Sequence, residues 1–563
     1  DDDERRDLFS VSEKRKQALF TLTELVVRDQ TGTTSLLPVV KPVAWISMDG
    51  NEGRVVSLAD DDGGEEDYFT ARLNAPLGRS ASHTRLAQDE ALPTEEHDKK
   101  REHFEVEDPK ARRPVRYVYF LVGIAALNSA NLGYDIGVIA GASLYIERSL
   151  GLSAVQVELM VGVLNFCAIG GAMIAHYVVD VFGRRRTFTL SCAVFVTGVI
   201  AMATAQSYEV LMLGRVITGV GVGIGLSVDP VYIAEIAPKS NRGELVTWSE
   251  ISINIGILLG FVAGYAFRGL PTNVSWRVML ACGGVMPIIL LVLTLTVMPE
   301  SPRWLVAKGR QSEAHAVLKR LNHDDCDVQE LVDEIDDAVR REKSTPSDWS
   351  GVFSPATPGA RYAVAIGVGI ATAQQIMAEE ALLFYQPRIL EDMGLDTQRI
   401  FLALIAMGVL KTGCIVISAA YLDKAGRRPL LLLSIAGMGC CLFGIGLSYS
   451  TGNRWGAVTM IWGYMMAFSL GIGPICWLLA AEVFPLQIRA KAMALATICN
   501  RVASSVIASS FLSWGKAMGF GAYFYFFSLV AALVWSLTFL FLPETKGKSL
   551  EEMALYFETL ASP

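Results

Sequence analysis

The sequence predicts an all-α membrane protein in which twelve transmembrane helices form two pseudo-symmetric six-helix bundles. The chain is 52% apolar and only 19% charged, which is too hydrophobic for an ordinary soluble protein of 563 residues. Part of the chain is also repeated, because VVDVFGRRR, ending at Arg186, returns 243 residues later as YLDKAGRRP, ending at Pro429. Long internal repeats in an apolar chain indicate two related membrane bundles with a binding site at their interface.

Two further motifs repeat in the same order and with nearly the same period. The motif that contains Glu235 recurs around Glu482, 247 residues later, and the Pro-Glu pair at Glu300 recurs at Glu544, 244 residues later. Three motifs that share one order and one period do not easily arise by chance. They place one bundle at residues 115–298 and the other at 361–542.

The leading segment, residues 1–114, differs from the rest of the chain in its charge. Residues 1–110 contain 25 acidic and 15 basic side chains, whereas the remainder is nearly balanced, so the net charge of −8 belongs to this segment. Acidic clusters without an apolar period are typical of disorder. We therefore predict an acidic, disordered cytoplasmic segment before the first bundle.

Each bundle is predicted from six apolar stretches of about the 20 residues that a helix needs to cross a bilayer. The first six stretches are 117–146, 154–178, 187–205, 209–236, 243–267 and 276–297. The second six are 361–390, 398–422, 430–449, 455–483, 489–514 and 521–542. Residues 299–360 form a polar linker, in which EAHAVLKRL and VQELVDEIDDAVRREK have the spacing of amphipathic surface helices. Residues 543–563 form a polar C-terminal tail.

Basic residues predict the orientation of the bundles, because cytoplasmic loops carry an excess of Lys and Arg. The repeated basic loops, the linker and the C-terminal tail all fall on one side, and the other side has isolated charges such as Arg148 and Arg268. Both termini are therefore expected in the cytoplasm. We predict an integral, multi-pass membrane protein, with the plasma membrane as its expected location.

Several motifs support a family resemblance. The two GRR loops, PVYIAEIAPKSNRG, PESPRWLVAKGR and PETKGKSLEEM resemble the sugar porters of the major facilitator superfamily. SEISINIGILLGFVAGYAF, VLKTGCIVISAAYLDKAGRRPLLL and GIGPICWLLAAEVFPLQIRAKA are most similar to the plant-type polyol and monosaccharide proton symporters. The resemblance covers nearly everything after residue 115, and it implies the major facilitator fold, with a central cavity that opens alternately to either side.

Asp135 is the clearest charge within a predicted span, and an ionisable group in a membrane is a functional candidate. Burial disfavours a charged carboxylate and a nearby cation favours it, so such a residue can carry a proton. We pair it with Arg215 near the start of the fourth span. The resemblance implies proton coupling for both residues, and the alternative is a static ion pair that joins two helices. The second half has Trp462 at the place of Arg215.

The solute cavity is expected to combine amide and carboxylate groups with an aromatic face, which together suit a polyhydroxylated molecule. The resemblance implies solute contacts for one set of residues: Gln374, Gln375, Phe384, Tyr385, Trp477 and Asn500. Three further positions depart from hexose carriers, with Glu380 in place of Asn, Glu250 in place of Gln and Lys411 in place of Asn. Any of these residues could instead be an interior packing residue.

Charge balance in this cavity needs an explanation, because Asp229 and Glu379 add two more acids to Glu250 and Glu380. An isolated charge in a dry cavity costs roughly several kcal/mol, because it loses its hydration and the protein compensates only partly. Our hypothesis is that Lys411 neutralises Glu380 or Glu250. The alternative is that Lys411 extends to a surface.

The repeated loops place acids and arginines at cytoplasmic helix ends, where such groups can bridge the bundles. We expect their ion pairs to form when the cytoplasmic side is shut and to break when it opens. A solvated anchor for orientation is the alternative. This predicted cytoplasmic gate consists of Asp180, Arg184, Arg185, Glu235, Arg242, Glu300, Arg303, Asp423, Arg427, Arg428, Glu482 and Arg489.

These features favour a secondary transporter that couples a polyol or monosaccharide to a proton. An uncoupled sugar, polyol or inositol facilitator and a transporter-like nutrient sensor are the alternatives. An enzyme is disfavoured, because the sequence has no phosphate-binding P-loop, metal-ligand cluster or nucleophile elbow. The expected partners are the solute, protons and the lipid bilayer, without a cofactor, a metal or nucleic acid, and we expect a monomer.

Overall fold

The computed structural model describes residues 26–28, 34–36, 45–49, 52–56, 115–238, 242–322, 327–344, 349–355, 357–485, 488–546 and 550–561. The chain divides into two units, residues 1–103 and 104–563. The first unit contains two antiparallel hairpins, β1 (Val26–Arg28) with β2 (Thr34–Leu36) and β3 (Trp45–Asp49) with β4 (Glu52–Val56). The rest of the segment predicted to be disordered lies outside the described residues.

The first half of the second unit and the linker are helical. The first half contains α1 (Arg116–Leu150), α2 (Ala154–Phe182), α3 (Arg184–Ala203), α4 (Tyr208–Ile236), α5 (Arg242–Phe267), α6 (Thr272–Cys282) and α7 (Val285–Thr296). The linker contains α8 (Pro302–Ala307), α9 (Gln311–Leu321), α10 (Val328–Ser344) and α11 (Ser350–Phe353). The two amphipathic helices predicted in the linker are α9 and α10.

The second half has the same plan with more interruptions. It contains α12 (Pro358–Ile376), α13 (Glu379–Asp392), α14 (Thr397–Ala425), α15 (Arg427–Thr451), α16 (Arg454–Leu470), α17 (Ile472–Val483), α18 (Arg489–Ala508), α19 (Phe511–Met518) and α20 (Phe520–Phe541). The C-terminal tail forms α21 (Leu550–Ala561). The sixth, seventh, tenth and eleventh predicted spans are each broken into two helices.

The fold class predicted from the sequence is confirmed. In the described residues, nine helices or helix pairs are long and apolar enough to cross a membrane, and α18 with α19, bent by 50°, makes a tenth. The other two predicted spans, α1 and the pair α12 and α13, contain buried polar and charged residues that lower their hydropathy, such as Asn131, Asp135, Glu379 and Glu380. These two spans therefore contribute several of the interior polar groups.

The break between α12 and α13 has an unusual backbone. Ala378 adopts a left-handed conformation with φ of 67°, which is uncommon for a residue with a side chain. It starts a new helix immediately, so Glu379 and Glu380 fall in the first turn of α13. This turn brings two carboxylates into the interior next to each other.

Glycines set the close approach of α1 and α5. A Cβ added at Gly133 would lie 1.9 Å from the carbonyl oxygen of Ile253, and one added at Gly256 would lie 2.0 Å from the carbonyl oxygen of Ala130. The two backbones are therefore in direct contact, as at other small-residue helix interfaces in membranes. The two halves meet elsewhere, through α5 against α14 and α2 against α18.

We predict that Gly133→Ala destabilises the protein, because the added methyl cannot fit without separating α1 from α5. Overpacking of this kind costs about 1–3 kcal/mol. The midpoint of thermal unfolding in detergent should fall. Gly123→Ala on the same helix is the control, because nothing lies within 4 Å of a Cβ at that position. Equal midpoints for the two variants would contradict the proposed contact.

Candidate functional site

Asp135 of α1 and Arg215 of α4 form a buried ion pair, as predicted. One guanidinium nitrogen, Nη1, donates to Oδ1 at 3.0 Å and to Oδ2 at 2.9 Å, and Nε donates to the carbonyl oxygen of Met160 at 3.1 Å. Both side chains are almost completely buried, and Arg215 Nη2 has no partner within the described part of the chain. The carboxylate therefore has a single cationic partner among the described residues.

Lys411 of α14 pairs with Glu379, not with Glu380 or Glu250. Its Nζ atom lies 2.9 Å from Glu379 Oε1. Lys411 is only 4% exposed, so the alternative that it extends to a surface is also wrong. Glu379 and Glu380 are adjacent in α13, where neighbouring side chains diverge by about 100° around the helix axis. Sequence spacing cannot show which of the two faces α14.

Glu380 is held by residues from both halves of the protein. Arg501 Nη1 of α18 donates to Glu380 Oε1 at 2.7 Å, and Asn165 Nδ2 of α2 donates to Oε2 at 2.6 Å. The hydroxyl of Ser504 also donates to Oε2, and Asn165 donates to Ser504 at 2.9 Å. Asn165 belongs to the first half, so this buried cluster joins the halves through hydrogen bonds.

Arg501 and Asn165 belong to this cluster but are not among the residues predicted from the sequence. Arg501 could have been found, because it is a charged residue inside the eleventh span and directly follows the predicted contact Asn500. Asn165 carries no comparable signal, since an isolated amide in a span is common at helix interfaces.

The predicted amide groups form a chain beside this cluster. Asn500 Nδ2 donates to Gln374 Oε1 at 2.8 Å and to the carbonyl oxygen of Ala371 at 2.7 Å. Asn500 Oδ1 accepts from Arg501 Nη2 at 2.8 Å. Gln375 Oε1 is buried without a partner within the described residues. These amides are thus positioned by one another, and Gln375 keeps an acceptor free for another group.

The three predicted aromatic contacts differ in their accessibility. Phe384 and Tyr385 are both buried, and the Tyr385 hydroxyl donates to the carbonyl oxygen of Ala508 at 2.8 Å. The Tyr385 ring also stacks on Phe511 with centroids 5.0 Å apart. Trp477 is partly exposed. In this conformation Phe384 and Tyr385 serve packing, and Trp477 is the one of the three with free ring surface.

Asp229 and Glu250 are acids without an ion-pair partner among the described residues. Asp229 of α4 is 1% exposed and accepts a hydrogen bond from the Ser129 hydroxyl, while its Oδ1 has no partner there. Glu250 of α5 is partly exposed and lies within the electrostatic influence of Lys411 and Arg501. The predicted excess of acid in the interior is therefore present.

The first repeated loop forms a compact network. Arg184 donates to both carboxylate oxygens of Glu235, at 2.7 and 2.8 Å. The backbone N–H groups of Arg184, Arg185 and Ser301 donate to Glu300 Oε1 at 2.7, 3.2 and 3.0 Å. Burial raises the pKa of the Glu300 carboxyl, and these three N–H groups and Arg184 oppose that rise. Gly183, with φ of 91°, is required here, because a Cβ would lie 2.4 Å from Glu300.

The second loop repeats this geometry. Arg427 donates to Glu482 at 3.0 Å, and the backbone N–H groups of Arg427 and Arg428 donate to Glu544 at 2.9 and 3.1 Å. Gly426 has φ of 88°, and a Cβ there would lie 2.9 Å from Glu544. Each of these ion pairs stays within its own half. The predicted bridging of the halves by these groups therefore remains a prediction for another conformation.

The other predicted gate residues have separate environments. Asp180 lies 3.9 Å from Arg184 and is largely exposed. The guanidinium of Arg185 donates to the carbonyl oxygens of Thr294 and Leu295, that of Arg428 to Phe539, and that of Arg489 to Phe484. Arg303 has a polar or ionic partner. The side chains of Arg242 and Asp423 lie outside the described residues.

Ion pairs between the halves are found at the end opposite the repeated loops. Arg388 Nη1 lies 2.8 Å from Glu147 Oε2, and Arg148 pairs with Glu391. Nearby, the backbone N–H of Ser513 donates to Glu158 at 2.7 Å, so α2 contacts the first turn of α19. These contacts hold the halves together at this end, and none of them is predicted from the sequence.

The chain is similar to known transport proteins over most of its length. The sequence profile of a family described as "Sugar (and other) transporter" matches residues 121–557. The "Probable polyol transporter 4" of Arabidopsis thaliana is 41% identical over 454 residues, which covers 79% of this chain and 86% of the relative. The "proton:xylose symporter XylE bound to 6-bromo-6-deoxy-D-glucose" has a TM-score of 0.67 and 26% identity, covering 78% of this chain and 99% of that one. The "inward open conformation of the xylose transporter XylE from E. coli" has a TM-score of 0.67 and 26% identity, covering 78% and 100%.

We predict that Lys411→Met destabilises the protein more than the double variant Lys411→Met with Glu379→Leu. Removing one partner leaves a buried charge uncompensated, which costs about 3–5 kcal/mol, whereas replacing both by apolar groups is often nearly neutral. Unfolding of the single and double variants in detergent measures the coupling between the two residues.

The exposed pair Arg310 and Glu313, 2.6 Å apart, is the matched control. Its coupling should be about 0–1 kcal/mol, because solvent screens exposed ion pairs. A coupling between Lys411 and Glu379 as small as that of the control would show that the buried contact does not persist in the protein.

Proposed function

Because the chain belongs to the sugar transporter family of the major facilitator superfamily, we propose that it carries a polyol or a monosaccharide together with a proton. The family makes it a multi-pass membrane transporter and not an enzyme. The relatives named above include a probable polyol transporter and a proton:xylose symporter, and both solute classes fit the proposal. The observation on which it depends most is the buried pair of Asp135 and Arg215.

The proposed coupling follows from the charge of Asp135. While ionised, this carboxylate attracts Arg215 across α1 and α4, with both side chains out of water. Protonation of Asp135 removes that attraction and frees the guanidinium, so the two helices can rearrange. Proton binding is thereby linked to helix movement, and a symporter requires such a link.

The proposed solute site lies around Glu380 and the amide chain. Glu380 can accept hydrogen bonds from vicinal hydroxyls, Gln375 Oε1 has a free acceptor, and Trp477 offers a ring face to the C–H side of a sugar. We assign direct solute contact first to these three residues. The remaining proposed substrate-binding residues position them or join the site in other conformations, and they are Glu250, Gln374, Phe384, Tyr385, Lys411 and Asn500.

The arrangement of ion pairs supports an inward-facing state. The halves are joined by Arg388 with Glu147 and Arg148 with Glu391 at the end opposite the basic loops. Since the basic loops are expected in the cytoplasm, the joined end faces outward. We propose that the loop networks become bridges between the halves when the cytoplasmic side shuts. We also propose a monomer in the plasma membrane with both termini in the cytoplasm.

We predict that Asp135→Asn strongly reduces the pH dependence of transport, because the variant cannot exchange a proton at this position. Uptake of labelled sorbitol, inositol and D-xylose by a transport-deficient host should rise more steeply at low external pH for the wild type and the control than for Asp135→Asn. Addition of solute should make the medium more alkaline for the wild type and the control than for Asp135→Asn. Glu209→Gln, at an exposed acid in the first turn of α4, is the control.

Each alternative function gives a different result in that experiment. A facilitator would take up solute without alkalinisation of the medium, and a nutrient sensor would take up none. If Asp135→Asn retained the wild-type pH dependence of uptake and the wild-type alkalinisation, the assignment of the coupling residue would be wrong.

We predict that Glu380→Gln weakens solute binding. A hydrogen bond to a charged group contributes about 1.5–3 kcal/mol, so KM should rise by roughly tenfold or more. The variant also loses the ion pair with Arg501, and a thermal unfolding measurement separates loss of fold from loss of affinity. Glu313→Gln on the exposed linker is the control, and an unchanged KM for Glu380→Gln would exclude direct contact.

A further inference from the structure

The interior carries more acid than its bases can neutralise. Within the described residues, Arg215, Lys411 and Arg501 are each paired with one carboxylate, namely Asp135, Glu379 and Glu380. Three acids of the described interior remain without a cation. Glu158 lies in the second turn of α2 and accepts hydrogen bonds from the backbone N–H and the hydroxyl of Ser513, whereas Asp229 and Glu250 lie farther from a helix end. A neutral polyol or sugar cannot supply the missing positive charge. Something other than the solute must therefore accompany these two acids when the cavity is closed to water.

Of these two acids, Asp229 has the greater need for a compensating charge, because water cannot reach it. It is 1% exposed, its Oδ2 accepts from the Ser129 hydroxyl of α1, and its Oδ1 has no partner in the part of the chain that the structure describes. Ser249 of α5 is a second hydroxyl beside this carboxylate. Both hydroxyls are neutral donors, so neither supplies the positive charge that a buried carboxylate needs.

The charged groups around Asp229 do not supply that positive charge. The nearest charge on α5 is another acid, Glu250, and Lys411 and Arg501 act on Glu250 while paired elsewhere. Arg215 is on the same helix as Asp229, but fourteen residues away, which corresponds to about 21 Å of helix rise. Two neighbouring carboxylates in a low dielectric favour protonation of one of them.

A proton fits this enclosed position better than a larger ligand. A metal cation needs several oxygen ligands and usually some water, and a solute hydroxyl needs an opening, whereas Asp229 is almost inaccessible. A proton on Oδ1 would form an O–H group that can donate to Ser249 Oγ, while Ser129 continues to donate to Oδ2. Glu250, partly exposed and adjacent, connects the position with cavity water.

We propose that Asp229, with Ser129 and Ser249, is a second proton-binding site, so that each transport cycle carries two protons, one on Asp135 and one on Asp229. The proton is taken from water on the outer side, is held as a neutral carboxylic acid during the crossing, and is released to water on the inner side through Glu250. This inference rests on the proposed symport. The second coupling site lies within the first half, where α4 packs beside α5.

The coupling ratio is measured with the full-length protein in proteoliposomes. Valinomycin with equal potassium on both sides holds the membrane potential at zero, and labelled sorbitol or D-xylose is used as the solute. The measurement is the solute gradient at which net flux stops under an imposed pH difference. For one pH unit, one coupled proton balances a solute gradient of about tenfold and two protons balance about a hundredfold.

We expect about a hundredfold for the wild type and for the control Glu209→Gln, and about tenfold for Asp229→Asn and Asp229→Ser. A tenfold gradient for the wild type would overturn the second site and leave the proposed symport intact. No gradient at all would reject the symport itself. A hundredfold gradient for the Asp229 variants would show that another group carries the second proton.

Two further experiments test whether another cation is coupled and whether the Asp229 variants still exchange solute. Solute accumulation driven by a sodium gradient at equal pH would overturn the proposal, because it would identify a different cation. Failure of both Asp229 variants to exchange labelled solute in counterflow would also overturn it, since a proton site alone is not needed for solute exchange.

Discussion

Charges inside a bilayer are tolerated only with partners, and the interior of this protein is arranged around that requirement. In the interior of the described spans, three basic residues each form an ion pair with one carboxylate on a neighbouring helix. The pairs are Arg215 with Asp135, Lys411 with Glu379, and Arg501 with Glu380. Because a broken pair leaves a costly charge behind, each pair keeps its two helices adjacent for as long as its carboxylate stays ionised.

Glu380 shows how such a pair can serve two purposes. Within the second half it neutralises Arg501, and across the interface it accepts a hydrogen bond from Asn165. It is also the residue assigned to the solute. A solute hydroxyl that donates to Glu380 competes with Asn165 for the same carboxylate. Solute binding at this position would therefore weaken a contact between the halves, which gives a physical basis for a link between occupancy and conformation.

The sequence predicts the features that depend on spacing and composition. The spans follow from runs of apolar residues, the two loops from their repeated motifs, and the pairing of Asp135 with Arg215 from the resemblance. What it could not predict depends on direction around a helix. Glu379 and Glu380 are neighbours in the chain, and the left-handed turn at Ala378 decides which one meets Lys411.

Hydropathy also does not predict the break in the seventh span. Ala378 interrupts the seventh span at a residue that ordinarily favours a helix, so neither propensity nor hydropathy marks the position. The ion pairs between the halves could not be predicted either. Charged residues near span ends are usually solvated, and Glu147, Arg148, Arg388 and Glu391 lie at such positions. Their pairing depends on how close the two bundles approach each other, which is a property of the whole fold.

The duplication explains why the two loops are alike, and the interior is where the two halves differ. Gly183 with Glu300 and Gly426 with Glu544 have the same backbone geometry and the same N–H contacts, so the two loops act alike in each half. The interior is not copied, since Trp462 stands where the first half has Arg215. Symmetric loops allow the two halves to move about a common axis. Direction and coupling must then come from the unlike residues between them, because identical halves would respond identically to a proton or a solute.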